Sequence, residues 1–329
     1  MSKRRLSDQQ RLRIAENQQN ELSGADSNPS VIESSCNGRI ISHYGQQLDV
    51  EILGGENAGD NIRCHQRANL PPLVTGDLVL WEQDSDEAGI IVATAKRRNV
   101  FGRPDAQAKF KAIAANLDFV LVVFAVVPEP FLNFIDRYLV AISNLGLEPL
   151  LVLNKVDLLG SNPSEEIDKM LSIYRGLDYA VLEVSATQGT GIEALQAKLK
   201  DKTTVLVGQS GVGKSSLVNR LGFDQLADVG DLSQSKYKGT HTTTTSRLFH
   251  LGNFDLIDSP GIREFSLGHI SADDVLDGFQ ELKNYATECK FRDCRHDREP
   301  GCAIQEAIEN GSITAERFES FQRILVSME

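Results

Sequence analysis

Nine residues, GQSGVGKSS from Gly208 to Ser216, set three glycines, a lysine and three serines in an order suited to holding a phosphate chain. They fit the GxxxxGK(S/T) spacing, follow the apolar run TTVLVG and open the helical pattern KSSLVNRL, which is the context that spacing needs. The loop comprises Gly208, Gln209, Ser210, Gly211, Val212, Gly213, Lys214, Ser215 and Ser216. Its glycines let successive backbone N–H groups turn toward one point. Lys214 is expected to bring a cation to the β and γ phosphates, and the Ser215 hydroxyl to ligate Mg²⁺. The chemistry is binding of a nucleoside triphosphate.

A second loop chooses the base. In NKVD, formed by Asn154, Lys155, Val156 and Asp157, the Asp157 carboxylate can accept two hydrogen bonds from the N1–H and 2-amino group of guanine. Adenine cannot supply that pair, and a buried carboxylate left unpaired is costly enough to discriminate. Asn154 is expected to bridge base and neighbouring loops, with the Lys155 stem against the ring. Ser185 and Ala186, in SAT, supply a third loop whose backbone N–H near Ala186 would face the base oxygen. The ligand is therefore GTP or GDP.

Downstream, FDLIDSPG has the DxxG form, in which Asp258 would hold Mg²⁺ through water and the Gly261 N–H would meet the γ phosphate. Between this motif and the phosphate loop lies KGTHTTTT, whose Thr243 would complete the Mg²⁺ shell. Ile262 stands where Ras-like GTPases carry a glutamine that orients the attacking water. Slow intrinsic hydrolysis follows, unless His241 or a partner positions that water. Gly211 replaces the asparagine usual in potassium-activated GTPases, so that device is not expected.

Cys289, Cys294, His296 and Cys302 form C-x4-C-x-H-x5-C, four ligands within fourteen residues and enough for a closed tetrahedral Zn²⁺ site. A complete ligand set leaves no open position, so the metal would be structural. Losing Cys294 is expected to release the ion and unfold the C-terminal module.

These loops need elements to hold them. Residues 34–97 contain five short alternating segments, GRIISHYG, QLDVEIL, NIRCHQ, LVLWE and GIIVATA, which predict a small closed barrel of the OB type. After an RRNVFGRPD linker the pattern becomes FVLVVFAVV, an amphipathic helix, PLLVLNK, a helix, YAVLEV, a helix and TTVLVG. Strands apolar on both faces and joined by helices predict a parallel sheet with ligand loops at the carboxyl strand ends. The G domain is set at 98–268, and a helical zinc-binding domain, with helices over 303–310 and 315–326, at 269–329. Residues 1–33 are read as a mobile basic tail with one nascent helix over 8–20.

The 329 residues, 41% hydrophobic, support such a multidomain chain, and no run is apolar enough for a membrane span. A cytoplasmic monomer without membrane contact is expected, with Cys36 and Cys64 as plain thiols. The net charge of −12 disfavours indiscriminate polyanion binding. Two basic clusters stand against it: Lys3, Arg4, Arg5, Arg11 and Arg13, then Lys96, Arg97, Arg98, Arg103, Lys109 and Lys111. They read either as an oriented RNA-docking surface or as solvated charge.

The motif order is NKVD, SAT, phosphate loop, threonine segment and DSPG, whereas Ras-like GTPases begin with the phosphate loop. Joining the old termini and cutting after DSPG keeps the spatial site, giving a circularly permuted G domain. With its OB-like barrel and C-x4-C-x-H-x5-C, the chain resembles the bacterial ribosome small subunit-dependent GTPase A family over essentially its whole length. That resemblance implies a GTPase of late small (30S) subunit maturation, with the subunit and its rRNA as partners and subunit-stimulated turnover. It also implies that the switch histidine, matching His241, is the catalytic residue. The alternative is a GTP-gated RNA-binding checkpoint factor whose turnover is incidental.

Overall fold

The structure, a computed structural model, describes residues 35–44, 47–85, 88–104, 110–160, 165–222, 246–258, 270–296 and 299–328. The expected tail and its helix lie outside the described residues.

Five strands, β1 (Gly38–Tyr44), β2 (Gln47–Ile52), β3 (Asn61–Gln66), β4 (Leu78–Gln83) and β5 (Ala88–Thr94), run in the order β1-β2-β3-β5-β4. Pairing of β1 with β4, Gly38 opposite Val79 and Arg39 opposite Leu78, closes them into a barrel. Alternate side chains point inward, so Ile40, Leu48, Val50, Cys64, Val79 and Ile91 form one core. Desolvation pushes the Cys64 thiol up to about 11, as befits a packing thiol.

The RRNVFGRPD stretch is not a plain linker. Val100–Pro104 (β6) pairs with Phe110–Ala115 (β7) in an antiparallel hairpin. Phe101, only 1% exposed, and the small side chains Ala114 and Ala115 turn this segment into the core. Two basic residues of the expected RNA cluster are committed here. Arg97 clamps the buried Asp77 at 2.6 and 2.7 Å, and Arg98 bonds Asp118 and the Asn116 carbonyl.

The central unit follows in chain order: β8 (Phe119–Ala125), α1 (Leu132–Asn144), β9 (Pro149–Asn154), α2 (Glu165–Gly176), β10 (Val181–Glu183), α3 (Ile192–Leu199), β11 (Thr203–Val207), α4 (Lys214–Gly222), β12 (Arg247–Leu251) and β13 (Phe254–Asp258). The sheet order is β10-β9-β8-β11-β13-β12, with every pairing parallel except β12 with β13. Every residue of β8 is buried, as a central parallel strand requires. On one face α1 and α2 pack Ile135, Leu139, Leu171 and Tyr174 against the sheet. On the other, α3 and α4 bring Leu195, Leu199, Leu217 and Leu221.

Barrel and sheet are continuous, because β1 also pairs with β12 through Ser42 and Arg247. Across the same junction Arg39 reaches Asp255 at 2.5 Å and the Thr203 hydroxyl at 2.7 Å. His250 bridges Asp255 at 2.6 Å and Glu51 at 3.0 Å. Hydrogen bonds to those two carboxylates raise the His250 pKa to about 10, so it is cationic at neutral pH.

Four helices follow among the described residues: α5 (Ala272–Asp277), α6 (Gln280–Ala286), α7 (Ala303–Glu309) and α8 (Ala315–Val326). The last two were expected, whereas α5 and α6 were not. Ser271 starts α5 with a capping box to Asp274. Their core includes Val275, Phe279, Ile304, Phe321 and Ile324 and takes in Val140 and Ala141 of α1. Beneath it Arg317, 1% exposed, forms an ion pair with the buried Asp136 of α1 and bonds Glu281 at 2.6 Å. The Tyr174 hydroxyl donates to Asp136 at 2.8 Å, and the Arg317 guanidinium lies 4.2 Å from the Phe279 ring centroid.

Candidate functional site

Three loops meet at the carboxyl ends of β9, β10 and β11. Asn154 ends β9 with a side chain 1% exposed, donating from Nδ2 to the Val212 carbonyl at 2.9 Å. Its Oδ1 accepts from the Ala186 N–H at 3.2 Å. One amide therefore ties the NKVD, phosphate and SAT loops together. The Ala186 N–H is held by this tie.

The next residue adds a second tie. Lys155 has a left-handed backbone, φ 64°, and sends Nζ to the carbonyls of Val127 at 2.8 Å and Gly211 at 2.7 Å. Asp157 follows in a single 3-10 turn, Val156–Leu158. The fully buried Ser185 donates its hydroxyl to Asp157 Oδ1 at 2.5 Å and accepts from the Gln188 N–H at 2.9 Å. Ser185 thus orients the carboxylate, a role the tripeptide alone did not reveal.

Glycine is obligatory at two loop positions. A Cβ on Gly208, φ 140°, would lie 2.0 Å from the Val123 carbonyl, and one on Gly213, φ 90°, 2.5 Å from Asn154 Nδ2. Lys214 Nζ donates to the Gly208 carbonyl at 2.6 Å and the Gln209 carbonyl at 2.8 Å, folded onto its own loop. Gln209, Ser210, Ser215 and Ser216 are exposed, the two later serines on the first turn of α4. Val212 is buried in the core beneath. Asp258 ends β13, whose Ile257 lies opposite Val205 of β11, so it emerges next to the phosphate loop. His241, Thr243, Gly261 and Ile262 lie outside the described residues.

The second constellation is the sulfur and imidazole cluster. Ligand atoms of Cys289, Cys294, His296 and Cys302 all lie within 4.8 Å of one another. His296 Nδ1 is 3.5 Å from Cys289 Sγ and 3.6 Å from Cys302 Sγ, and the latter two sulfurs are 4.0 Å apart. Bond lengths of about 2.3 Å to sulfur and 2.0 Å to nitrogen imply tetrahedral edges of about 3.8 and 3.5 Å. The donor set and its spacing therefore fit zinc. Cys289 follows α6 and Cys302 caps α7, while a left-handed turn at His296, φ 62°, brings the imidazole inward. Gln305 Nε2 donates to the His296 carbonyl at 2.7 Å and fixes that turn. Burial and the neighbouring thiols push Cys294 up to about 12, a shift that a bound cation reverses by favouring thiolate.

A family model described as RsgA GTPase matches residues 94–268. The small ribosomal subunit biogenesis GTPase RsgA of Pseudomonas putida strain F1 is 51% identical over 309 residues, covering 94% of this chain and 89% of its own. The Azotobacter vinelandii protein of that name is 51% identical over 311 residues, with the same coverage of each chain. The chain belongs to the RsgA GTPase family. Its membership makes it a GTP hydrolase, as the motif-based resemblance implied. Among solved structures, YjeQ from Thermotoga maritima matches with a TM-score of 0.72 and 30% identity, over 88% of this chain and 97% of that one. YloQ, described as a circularly permuted GTPase, matches with a TM-score of 0.70 and 25% identity, over 88% and 94%. The architecture is thus a β-barrel, a circularly permuted GTPase domain and a C-terminal helical unit whose Cys3His cluster could hold zinc.

Proposed function

We propose that this chain hydrolyses GTP during maturation of the small ribosomal subunit, contacting its rRNA and turning over faster when bound to the subunit. The observation that carries the guanine reading is the Asn154 tie, which fixes the base loops to the phosphate loop before any ligand arrives. With Ser185 orienting it, Asp157 receives the N1–H and 2-amino group of guanine, and Lys155 covers the ring. Backbone N–H groups between Gly208 and Lys214 take the phosphates, and Lys214 exchanges two loop carbonyls for phosphate oxygens. Ser215, Thr243 and Asp258 are the residues that would hold Mg²⁺, which would supply positive charge against the β and γ phosphates.

Gly261 meets the γ phosphate from the DSPG loop. Because Ile262 cannot orient water, His241 or the bound subunit takes that task. Zinc held by Cys289, Cys294, His296 and Cys302 braces the C-terminal module. Exposed Lys290, Phe291, Arg292 and Arg295 on that loop join charge to an aromatic face, a combination suited to RNA. The deciding experiment is GTP turnover with and without purified small subunits. Stimulation of about tenfold or more is expected, and turnover indifferent to the subunit overturns the ribosome-coupled reading. Co-sedimentation that survives substitution of His241 with unchanged release would favour the checkpoint alternative.

A further inference from the structure

A groove of about 320 Å³ lies where the first turns of α1 and α2 meet the side of α8. That is the small end of the range for ligand pockets, room for one or two side chains of a larger partner. Ile167 and Met170 of α2, 6% and 5% exposed, give it an apolar floor. Phe131, just before α1, adds an aromatic wall that is 62% exposed. One exposed ring means little by itself, but this one lines a cavity. Within the lining, Asn133 of α1 donates to the Ser320 carbonyl of α8 at 3.0 Å, so the two walls keep a fixed spacing.

The rim of the groove is acidic. Glu129, Glu166, Glu316 and Glu319 line it against one lining cation, Arg323. Arg323 bonds Glu319 at 3.4 Å and Lys169 pairs with Glu316, so two of the four carboxylates are already answered. Among the described residues Glu129 and Glu166 have no cationic partner. Glu166 stands in the first turn of α2, where the helix dipole favours an acid, but Glu129 belongs to no helix. Carboxylates repel phosphate, so this face does not suit RNA, in contrast to the basic loop around Phe291. An apolar floor under an acidic rim is complementary to a chain that carries an apolar side chain between lysines and arginines. The net charge of −12 favours the approach of such a chain.

We infer that this groove docks a lysine- and arginine-rich segment of a partner protein. One aliphatic side chain of that segment seats against Phe131, Ile167 and Met170, and the flanking cations meet Glu129, Glu166 and Glu319. The occupant touches three helices, two of the GTPase domain and one of the C-terminal unit, and reads them as one surface. The site shares no residue with the guanine site or the zinc cluster.

The test is fluorescence anisotropy of a labelled lysine- and arginine-rich peptide with a central leucine, titrated with the full chain at about 0.15 M salt. The same peptide with serine for leucine runs beside it and is expected to bind about tenfold more weakly. Phe131→Ser and Glu129→Lys are each expected to weaken the leucine peptide about tenfold, with an unchanged Tm as the check on folding. Glu193→Lys makes the same charge change on α3, across the sheet, and is expected to leave affinity within about twofold. No binding of the leucine peptide, equal binding of the serine peptide, or an equal loss in Glu193→Lys would overturn the inference. A dimer in sedimentation that Phe131→Ser dissolves would give the groove to a second copy of the chain and overturn it too. So would an RNA oligonucleotide that Phe131→Ser weakens while the peptide is unaffected. Neither nucleotide nor ribosomal subunit enters the assay, so its failure is distinguishable from failure of the subunit-coupled reading.

Discussion

At the barrel end, the central sheet is joined by ion pairs that solvent reaches, with His250 at 54% side-chain exposure. At the C-terminal end it is joined by Arg317, whose side chain is 2% exposed, to an Asp136 side chain that is not exposed at all. An exposed pair is screened and contributes little, whereas a buried pair has already surrendered its hydration and cannot lose one partner cheaply. The barrel junction therefore draws its order from the strand pairing and buried hydroxyls beside the charges. At the C-terminal junction the charges themselves link the elements, since Arg317 of α8 meets Asp136 of α1 and Glu281 together, and Tyr174 donates to the same Asp136.

The sharpest way to break this contrast is Arg317→Met. It strands the buried Asp136 carboxylate, and a loss of about 3–5 kcal/mol is expected in denaturant unfolding. Pairing it with Asp136→Leu should recover much of the deficit, since both charges then leave the interior.

Removing the metal ranks next. Because the C-terminal core includes Val140 and Ala141 of α1, Cys294→Ala should release zinc and free the loop around residues 288–302 while α5 to α8 stay docked. This narrows the sequence-based expectation that the whole module would unfold. Amide exchange in that loop should rise about 100-fold, roughly 2.7 kcal/mol, with metal content read by mass spectrometry. Stoichiometric zinc in the variant would show that the ligand set is wrong.

The smallest effect belongs to the barrel junction. The His250 pKa rises to about 10 in the folded chain, against about 6.5 unfolded. Its contribution is fully present below pH 6.5 or so and is lost as pH climbs through 10. Since the imidazole is half exposed, that contribution is about 1 kcal/mol or less. The wild-type and His250→Asn proteins should differ in Tm at pH 7 and converge near pH 10.5. A difference that persists at alkaline pH would assign the effect to packing.

What the sequence made legible was local. The nine-residue phosphate loop, NKVD and the four zinc ligands each complete their chemistry within a short window, and the strand and helix periods around them are long enough to read. Both junctions were hidden, because Arg39 meets Asp255 across 216 residues and Arg317 meets Asp136 across 181, with no local signal to pair them. The Ser185 bond to Asp157 was hidden for a related reason, since the SAT tripeptide carries no mark of what its hydroxyl will reach. The hairpin was missed because GRP reads as a break and FKAIAA offers little alternation.

The permuted strand order also has a consequence for how the protein is made. β8 has its edges filled by β9 on one side and β11 on the other. β9 follows almost at once, but β11 begins only at Thr203, after residues 126–202 have been synthesised. At ribosomal rates of 5–20 residues per second, that interval lasts about 4–15 s. For that time the newborn chain carries a seven-residue apolar strand with one edge open, an invitation to other unfinished chains. In this order it is the fully buried β8, rather than the phosphate-loop strand, that waits with an open edge while the chain is made.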